Sequence, residues 1–273
     1  MEGDIEKKLK NLKEILKKMG TVLVAFSGGV DSTFLLRVAK DVLGEKVIAV
    51  TALSPTYPRE EVEEAKKISK KMGVRHILIE TRELEDSNFV NNPPTRCYYC
   101  KRELFSALKK IAEENNLRWI VDGSNLDDTG DFRPGMQAAR ELGVRSPLKE
   151  AHLGKSDIRE LSKKLGLSTW NKPSLACLAS RFPYGMRIKK EELLKVEEAE
   201  RFLRKMGISQ IRVRHYGDTA RIEVREDEIP KLFENKKRNK VIEKFKQLGY
   251  TYITVDLEGY RTGSMNEVLK KSD

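Results

Sequence analysis

Long apolar stretches are absent from the sequence, which has 273 residues. The longest apolar run, TVLVAF, covers only residues 21–26, whereas a membrane-spanning helix needs about 20 predominantly apolar residues. The first residues, MEGDIEKKLK, are mostly charged and lack the apolar core of a signal peptide. The sequence therefore predicts neither a membrane span nor a secretion signal, and we expect the protein in the cytoplasm.

Cysteine is also scarce, because the sequence has only three: Cys97, Cys100 and Cys177. An odd number without a secretion signal argues against a disulfide framework and for a reduced cytosol. A CxxC pair with a distant third cysteine is compatible with a zinc site lacking a ligand, a redox pair or a three-thiolate iron–sulfur site. Three unrelated buried thiols are the alternative, but the spacing favours a functional role.

Charged residues are abundant, and the 53 basic residues exceed the 42 acidic ones, giving a formal net charge of +11. The excess is spread along the chain and forms no basic tail. It indicates either a solvated surface or attraction to phosphate-bearing ligands, including RNA. The length suits two modest domains, and 39% hydrophobic residues suffice for packed cores.

The hydrophobic pattern predicts an α/β fold in the first part of the chain. Buried strands alternate there with amphipathic helices, which is typical of a parallel sheet covered on both faces. The predicted strands are 21–26, 46–52, 75–80 and 118–122. The predicted helices are 5–19, 33–43, 59–72, 102–115 and 155–165, with loops at 91–96, 127–135 and 171–185.

The pattern changes after Gly185, so we predict domains at residues 1–185 and 186–273. The second domain is predicted as a small α+β unit, in which a hairpin of period-two alternation presents one solvated sheet face. Its predicted helices are 190–206, 228–234 and 237–248, and its predicted strands are 210–215, 219–224 and 250–256.

A glycine-rich hexapeptide, SGGVDS at residues 27–32, follows the first predicted strand. Its glycines permit a tight turn close to a ligand, and free N–H groups at a helix start attract an anion. Asp31 fits beside phosphates only with a metal ion between them. Open α/β sheets bind ligands at this edge, so we predict a phosphate site rather than a plain helix cap.

This loop resembles the pyrophosphate-binding loop of the PP-loop ATP pyrophosphatase superfamily. The resemblance implies an adenine nucleotide alpha hydrolase-like fold that binds ATP with Mg²⁺. It also implies a reaction in which the substrate attacks the α-phosphate and becomes adenylated, after which nitrogen or sulfur displaces AMP.

Three further stretches resemble the LarE family of ATP-dependent sulfur transferases. They are residues 92–105 (NPPTRCYYCKRELF), 122–148 and 171–185 (NKPSLACLASRFPYG), and the resemblance covers nearly the whole chain. It implies a pyridinium dicarboxylate mononucleotide as substrate. Its carboxylate is adenylated and converted to a thiocarboxylate, in biosynthesis of the nickel-pincer nucleotide cofactor.

The resemblance also assigns residues to the nucleotide site, with Asp31 among the catalytic residues. The residues expected to hold pyrophosphate and magnesium are Ser27, Gly28, Gly29, Asp31 and Ser32. The backbone near Ala25, Ala52 and Gly123 is expected to frame the adenosine, and Ser124 and Asn125 match the loop after the fourth strand.

Cys177 matches the cysteine that donates its sulfur, and so works once, in single-cysteine members of the family. In other members three cysteines hold a [4Fe–4S] cluster whose fourth iron carries a hydrosulfide. Because this sequence has all three, the resemblance favours the cluster with Cys97, Cys100 and Cys177 as ligands. Arg96, Lys101 and Arg181 flank the cysteines and either offset the cluster's charge or are plain surface charges.

Substrate contacts are predicted mainly in the second domain. Arg212 and Arg214 alternate on a strand, so they point to one face and suit a 5′-phosphate, unless that face is merely solvated. Glu200 and Arg133 are weaker candidates for the substrate pocket. No histidine is assigned a catalytic role.

Two other functions stay open at this stage: a tRNA thiolase of the same superfamily, and a non-catalytic redox or iron sensor that binds ATP. The sequence offers no separate RNA-binding module for the first, and the complete loop argues against the second. The favoured interpretation implies a small-molecule nucleotide substrate, sulfide or another sulfur donor, and a homo-oligomer.

Overall fold

The computed structural model describes residues 2–130, 134–173 and 176–269. Its contacts divide the chain into two compact units. Unit 1 comprises Met1–Phe89 and Thr95–Leu175, and unit 2 comprises Val90–Pro94 and Ala176–Asp273. None of the helices in the described ranges is long and apolar enough to cross a membrane.

The observed division precedes the predicted boundary at residue 185, because residues 176–185 pack within unit 2. Arg181 and Phe182 are fully buried. Arg181 forms an ion pair with Glu200, and the Phe182 ring centroid lies 5.0 Å from that of His215. A loop-like composition hid these packing contacts from the sequence analysis.

Unit 1 is built on a parallel four-stranded sheet with the strand order β3-β2-β1-β4. The predicted α/β architecture is therefore confirmed. The strands are β1 (Val22–Ala25), β2 (Val47–Leu53), β3 (Arg75–Glu80) and β4 (Trp119–Val121). The helices are α1 (Glu2–Met19), α2 (Val30–Leu43), α3 (Arg59–Lys71), α4 (Ser87–Val90, where the chain passes into unit 2), α5 (Arg96–Glu114), α6 (Pro134–Glu141), α7 (Pro147–Glu150) and α8 (Lys155–Lys164).

Strand β1 is continuously apolar because both of its faces are covered. Val22 and Val24 pack with Leu16 of α1 in one cluster, whereas Leu23 packs with Leu108 of α5 in the other. Successive strand residues point to opposite faces, so a doubly covered strand needs apolar residues at every position. This packing fixes the strand that leads into the SGGVDS loop.

Two helices of unit 1 differ from the prediction. Helix α5 begins at Arg96, well before the predicted residue 102, so its first turns contain the CYYC segment. Helix α6 begins at Pro134, within the loop predicted at 127–135, and continues to Glu141, where no element was predicted. Threonine is favoured at the N-cap, so Thr95 was a signal for the start of α5 that the prediction did not use, although its side chain makes no capping hydrogen bond.

Unit 2 contains a three-stranded sheet with the order β5-β6-β7. The predicted antiparallel hairpin is confirmed, and β7 adds to it in parallel. Its elements are α9 (Lys190–Lys205), β5 (Ile211–Tyr216), β6 (Thr219–Val224), α10 (Ile229–Phe233), α11 (Asn235–Gln247) and β7 (Tyr252–Val255).

The expectation of a solvated sheet face in this hairpin is wrong. Arg212, Arg214 and Glu223 are all buried. Arg214 donates to the carbonyl oxygen of Ser180 and to Ser264 Oγ, so segments distant in sequence cover this face. Glu200 of α9 accepts a hydrogen bond from the backbone N–H of Val213 on β5.

His215 of β5 is a core residue of unit 2 and is only 1% exposed. Its Nδ1 lies 3.2 Å from the hydroxyl of Tyr250. Burial, together with the charges of Lys195 and Lys189, lowers the pKa of His215 to about 4. The imidazole is therefore neutral in the folded protein at pH 7.

His215 should make folding sensitive to mild acid. Between pH 6.5 and pH 4 the unfolded chain protonates this histidine while the folded protein does not, so the free energy of unfolding falls as the pH falls. The loss should reach about 3 kcal/mol at pH 4. Urea unfolding of the wild type and His215→Phe measures it: the variant should lose less stability between pH 7 and pH 4, and equal losses would exclude this cause.

Candidate nucleotide-binding site

The SGGVDS loop joins β1 to α2, and its serine hydroxyls bond to each other across the loop. Ser27 Oγ and Ser32 Oγ lie 3.0 Å apart, and the backbone N–H of Ser27 donates to Ser32 Oγ at 3.3 Å. Gly29 is the N-cap of α2 and, within the described structure, no side chain caps this helix. The N–H groups of its first turn can therefore receive an anion.

Two glycines are required by close approaches of the backbone. Gly28 has φ +71°, and a Cβ atom there would lie 3.2 Å from the Cβ of Ala65 on α3. A Cβ on Gly123, after β4, would lie 3.0 Å from the backbone nitrogen of Ser32. Gly123 thus lets the end of β4 approach the first turn of α2.

Residue Phe26, immediately before the loop, is held by β2 and β3. Thr51 Oγ1 donates to its carbonyl oxygen at 2.6 Å, and His76 Nε2 lies 2.8 Å from the same hydroxyl. Since Thr51 uses its only proton on Phe26, His76 donates to Thr51 from Nε2. Its Nδ1 lies 2.9 Å from Ser69 Oγ, which also lies 3.0 Å from the carbonyl oxygen of Lys66. Burial and the charge of Lys66 lower the pKa of His76, which favours the neutral imidazole.

Asp31 lies in the first turn of α2, and its two carboxylate oxygens differ. Oδ2 accepts a hydrogen bond of 2.6 Å from Nζ of Lys155, whereas Oδ1 is buried and has no hydrogen-bond partner in the described structure. A buried carboxylate oxygen without a donor is unfavourable, and Mg²⁺ prefers such oxygens. The site therefore fits the magnesium ion implied by the sequence.

Lys172 forms a second cationic contact with the loop. Its Nζ donates to the carbonyl oxygen of Gly28 at 3.2 Å and to Glu61 and Glu64 of α3 at 2.7 and 2.6 Å. It therefore ties the loop to α3. The sequence analysis missed both Lys155 and Lys172. Only Lys155 offered a signal: it lies in the first turn of α8, where a positive charge opposes the helix dipole and is unfavourable.

A mainly apolar cleft lies beside Ser27 at the carboxyl edge of the sheet. This edge is where open α/β sheets bind their ligands, so the cleft is the candidate site for the nucleoside. Ala25 and Ala52, both predicted next to adenosine, line this cleft, and Lys101 and Glu61 supply its charged side chains. Gly123 is not among the residues that line it.

The residues after β4 bond mainly within their own turn. Ser124 Oγ donates to Asp122, and Asn125 Oδ1 accepts from the backbone N–H of Asp127. These contacts give Ser124 and Asn125 a structural role in the turn. Arg133, the remaining candidate from this region, lies outside the described residues.

The cysteines are divided between the units. Cys97 and Cys100 of unit 1 are spaced i and i+3 on α5, so they share a helix face, and Cys97 is exposed. Cys177 belongs to unit 2 and is partly buried. None of the three forms a disulfide, and the described ranges contain no group of three or more His, Cys, Asp or Glu residues placed to hold a metal ion.

In unit 2, Arg181 holds the backbone of the cysteine loop. Its Nη1 donates to the carbonyl oxygens of Ala176 and Cys177 at 3.0 and 3.2 Å, while Nε and Nη2 donate to Glu200 at 2.7 and 3.0 Å. Burial opposes ionisation of Glu200, but the Arg181 charge and hydrogen bonds keep its pKa below the usual range. Glu200 therefore orients Arg181.

Arg181 and Arg96 are buried, so neither is a plain surface charge.

The paired arginines of β5 have different surroundings. Arg214 donates four hydrogen bonds, two to Glu223 and one each to Ser180 and Ser264. Arg212 lies over the ring of Tyr260, and burial, together with the positive charge of Arg181, lowers its pKa to about 10. An anion beside Arg212 would relieve this unfavourable charge.

The chain matches several known proteins. The family model of the queuosine biosynthesis protein QueC matches residues 21–92. An uncharacterized protein of Synechocystis sp. is 43% identical over 267 residues, which are 98% of this chain and 100% of that protein. An uncharacterized protein of Methanocaldococcus jannaschii is 34% identical over 94% of this chain and 98% of its own length.

A third relative has a described activity. The pyridinium-3,5-bisthiocarboxylic acid mononucleotide synthase of Lactiplantibacillus plantarum is 40% identical over 259 residues, which are 94% of this chain and 93% of that protein. The parallel sheet with a serine–glycine loop after β1 defines the PP-loop class of nucleotide-binding proteins. Within that class, the chain belongs to the LarE family, the family of this synthase.

Removal of one partner of the buried Arg181–Glu200 pair should strongly destabilise unit 2. Glu200→Gln leaves a buried guanidinium without its counter-charge, which should lower the free energy of unfolding by about 3–5 kcal/mol. The matched control is Glu198→Gln on the same helix, which breaks an exposed pair with Arg201 and should cost less than about 1 kcal/mol. Denaturant unfolding measures both, and equal effects would contradict the structural role of Glu200.

Proposed function

We propose that this protein is an ATP-dependent sulfur transferase. It adenylates a carboxylate of a pyridinium dicarboxylate mononucleotide and converts it to a thiocarboxylate, in biosynthesis of the nickel-pincer nucleotide cofactor. The observation that carries the proposal is the 40% identity, along nearly the whole chain, to a synthase whose name states this product class. The geometry of the SGGVDS loop supports the use of ATP.

The order of the chemical steps follows from the poor reactivity of a carboxylate. Its oxygen attacks the α-phosphorus of ATP, the bond to the β-phosphate breaks, and pyrophosphate leaves. The acyl carbon then carries AMP as a good leaving group, and a sulfur nucleophile displaces it. The protein's contribution is to position the reactants and to stabilise charge on the phosphates. The first turn of α2 and the hydroxyls of Ser27 and Ser32 supply donors for the departing pyrophosphate.

Asp31 is the proposed magnesium ligand, through the unpaired Oδ1. Mg²⁺ bound there would neutralise the phosphates' charge. The apolar cleft next to Ala25 and Ala52 receives the adenosine, and Lys101 at its rim adds positive charge.

Unit 2 supplies the proposed contacts to the substrate nucleotide. Arg212 is the better candidate for its 5′-phosphate, because its positive charge is buried beside that of Arg181. Arg214 and Glu200 are engaged in buried ion pairs, so we assign them to positioning: Arg214 fixes the strand, and Glu200 orients Arg181. A homo-oligomer is also part of the proposal, with unit 2 supplying its interface.

The source of sulfur is proposed from the sequence. Cys97, Cys100 and Cys177 are the candidate ligands of a [4Fe–4S] cluster, and each unit by itself holds at most two of these thiols. Because the described residues provide no three-ligand group, no step of the reaction is assigned to a cluster. Cys177 as a direct sulfur donor is the alternative.

The two proposed sources of sulfur predict different iron contents for the purified protein. Protein purified and reconstituted without oxygen should contain iron and acid-labile sulfide, and Cys97→Ala should lose both but retain ATP binding, because the nucleotide cleft does not include Cys97. Iron-free wild-type protein in which Cys177 has lost its sulfur, detected by mass spectrometry, would contradict the cluster.

Adenylation should depend on Asp31. With ATP, Mg²⁺ and the pyridinium dicarboxylate mononucleotide, Asp31→Ala should reduce pyrophosphate release by at least about 100-fold, because it removes the metal ligand. Asp41→Ala is the matched control, since Asp41 lies on the same helix in an exposed pair with Arg37. Unchanged pyrophosphate release in Asp31→Ala would refute its role, and no release by the wild type would refute the proposed reaction.

A further inference from the structure

Lys155 is the residue that contacts Asp31, and its backbone is fixed independently of that contact. It is the first residue of α8, and its backbone N–H donates to Asp127 Oδ2 at 2.7 Å. Asp157 of the same helix accepts from the backbone N–H of Gly154 and from Lys8 Nζ. The start of α8 is therefore held in place, while the Lys155 side chain is about one-third exposed.

We propose that Lys155 is an exchangeable partner of Asp31. It neutralises the carboxylate while the loop holds no nucleotide, and it releases Asp31 to the metal ion and turns to a phosphate oxygen when Mg²⁺·ATP binds. The proposal rests on the use of ATP with Mg²⁺ under the proposed function, and it adds a specific phosphate-binding residue and a competition between two cations.

The electrostatics of the loop favour such an exchange. The first turn of α2 favours the Asp31 carboxylate by itself, but a phosphate bound at the same turn repels that carboxylate unless a cation lies between them. The ammonium occupies Oδ2, and the buried Oδ1 is the oxygen left for a metal ion. A divalent ion on one carboxylate oxygen repels an ammonium on the other, so metal binding weakens the Lys155 contact.

The mobility of the lysine side chain makes this exchange possible without movement of α8. Four methylene groups separate the fixed backbone from the ammonium, and three rotatable N–H donors let it bond to an oxygen in several orientations. Phosphates bound at the first turn of α2 would lie beside Asp31, which belongs to that turn. The displaced ammonium would therefore meet phosphate oxygens close to its starting position.

A structural ion pair would give different binding behaviour from an exchangeable one. If Lys155 competes with the metal, its removal should strengthen metal binding to the nucleotide-free protein and weaken binding of Mg²⁺·ATP. A lysine that only stabilises the fold should do neither. Stability is followed separately by thermal unfolding.

The test measures Mn²⁺ binding by electron paramagnetic resonance and Mg²⁺·ATP binding by calorimetry, for the wild type, Lys155→Met and Lys155→Arg. Lys155→Met should bind Mn²⁺ about tenfold more tightly without nucleotide and Mg²⁺·ATP about tenfold more weakly, as expected for one charge-assisted contact. Lys155→Arg should retain most of the ATP affinity. Lys40→Met, which removes the ion-pair partner of the exposed Glu45, should change neither affinity.

Mn²⁺ affinity that is unchanged or weaker in folded Lys155→Met would overturn the inference. Asp31→Asn should abolish Mn²⁺ binding both in the otherwise wild-type protein and in Lys155→Met. Binding that remains would place the metal elsewhere and would also overturn the inference. None of these measurements uses the pyridinium nucleotide. If the wild type binds Mg²⁺·ATP but forms no thiolated product, only the proposed function is refuted. The inference about Lys155 is then still decided by the binding measurements.

Discussion

The site depends on one electrostatic constraint: a carboxylate lies within a loop that is built to receive anions. Asp31 occupies the first turn of α2, whose N–H groups favour negative charge, so a phosphate bound there and the carboxylate repel each other unless a cation lies between them. In this structure Lys155 pairs with the carboxylate. On the other side of the loop Lys172 ties Gly28 to α3, and Thr51 with His76 holds Phe26. The loop is thus positioned by residues from β2, β3 and the segment before unit 2.

Buried charge organises unit 2 as well. Arg181 and Glu200 form a pair that is almost fully buried, and Arg181 also holds the carbonyl oxygen of Cys177. Arg214 and Glu223 form a second pair on β5 and β6. Pairs of this kind contribute little net stability over apolar packing, but removal of one partner is costly, so they fix side-chain orientation. The backbone around Cys177 is held in this way, which suits a thiol that acts as a ligand or a sulfur donor.

Much of the fold could be predicted, because short-range patterns of apolar and polar residues determine its strands and helices. Strand β1 is continuously apolar since α1 and α5 cover its two faces, and the alternating hairpin of β5 and β6 was equally clear. The SGGVDS loop predicted the candidate nucleotide site. The contacts of Lys155 and Lys172 could not be predicted, because Lys155 lies 124 positions from Asp31 in the sequence. Burial of Arg214 and Glu223 was missed for a related reason. Charged residues on a strand suggest a solvated sheet face, whereas Ser180 and Ser264, which contact Arg214 on this face, are remote from the strand in sequence.

The central claim is that the energy of ATP converts a substrate carboxylate to a thiocarboxylate on this protein. The most direct test is mass spectrometry of the pyridinium dicarboxylate mononucleotide after anaerobic incubation with the protein, ATP, Mg²⁺ and sulfide. The account predicts a nucleotide in which sulfur has replaced a carboxylate oxygen, with AMP formed in equal amount. An unaltered nucleotide, in a sample where the same protein thiolates added tRNA, would contradict it.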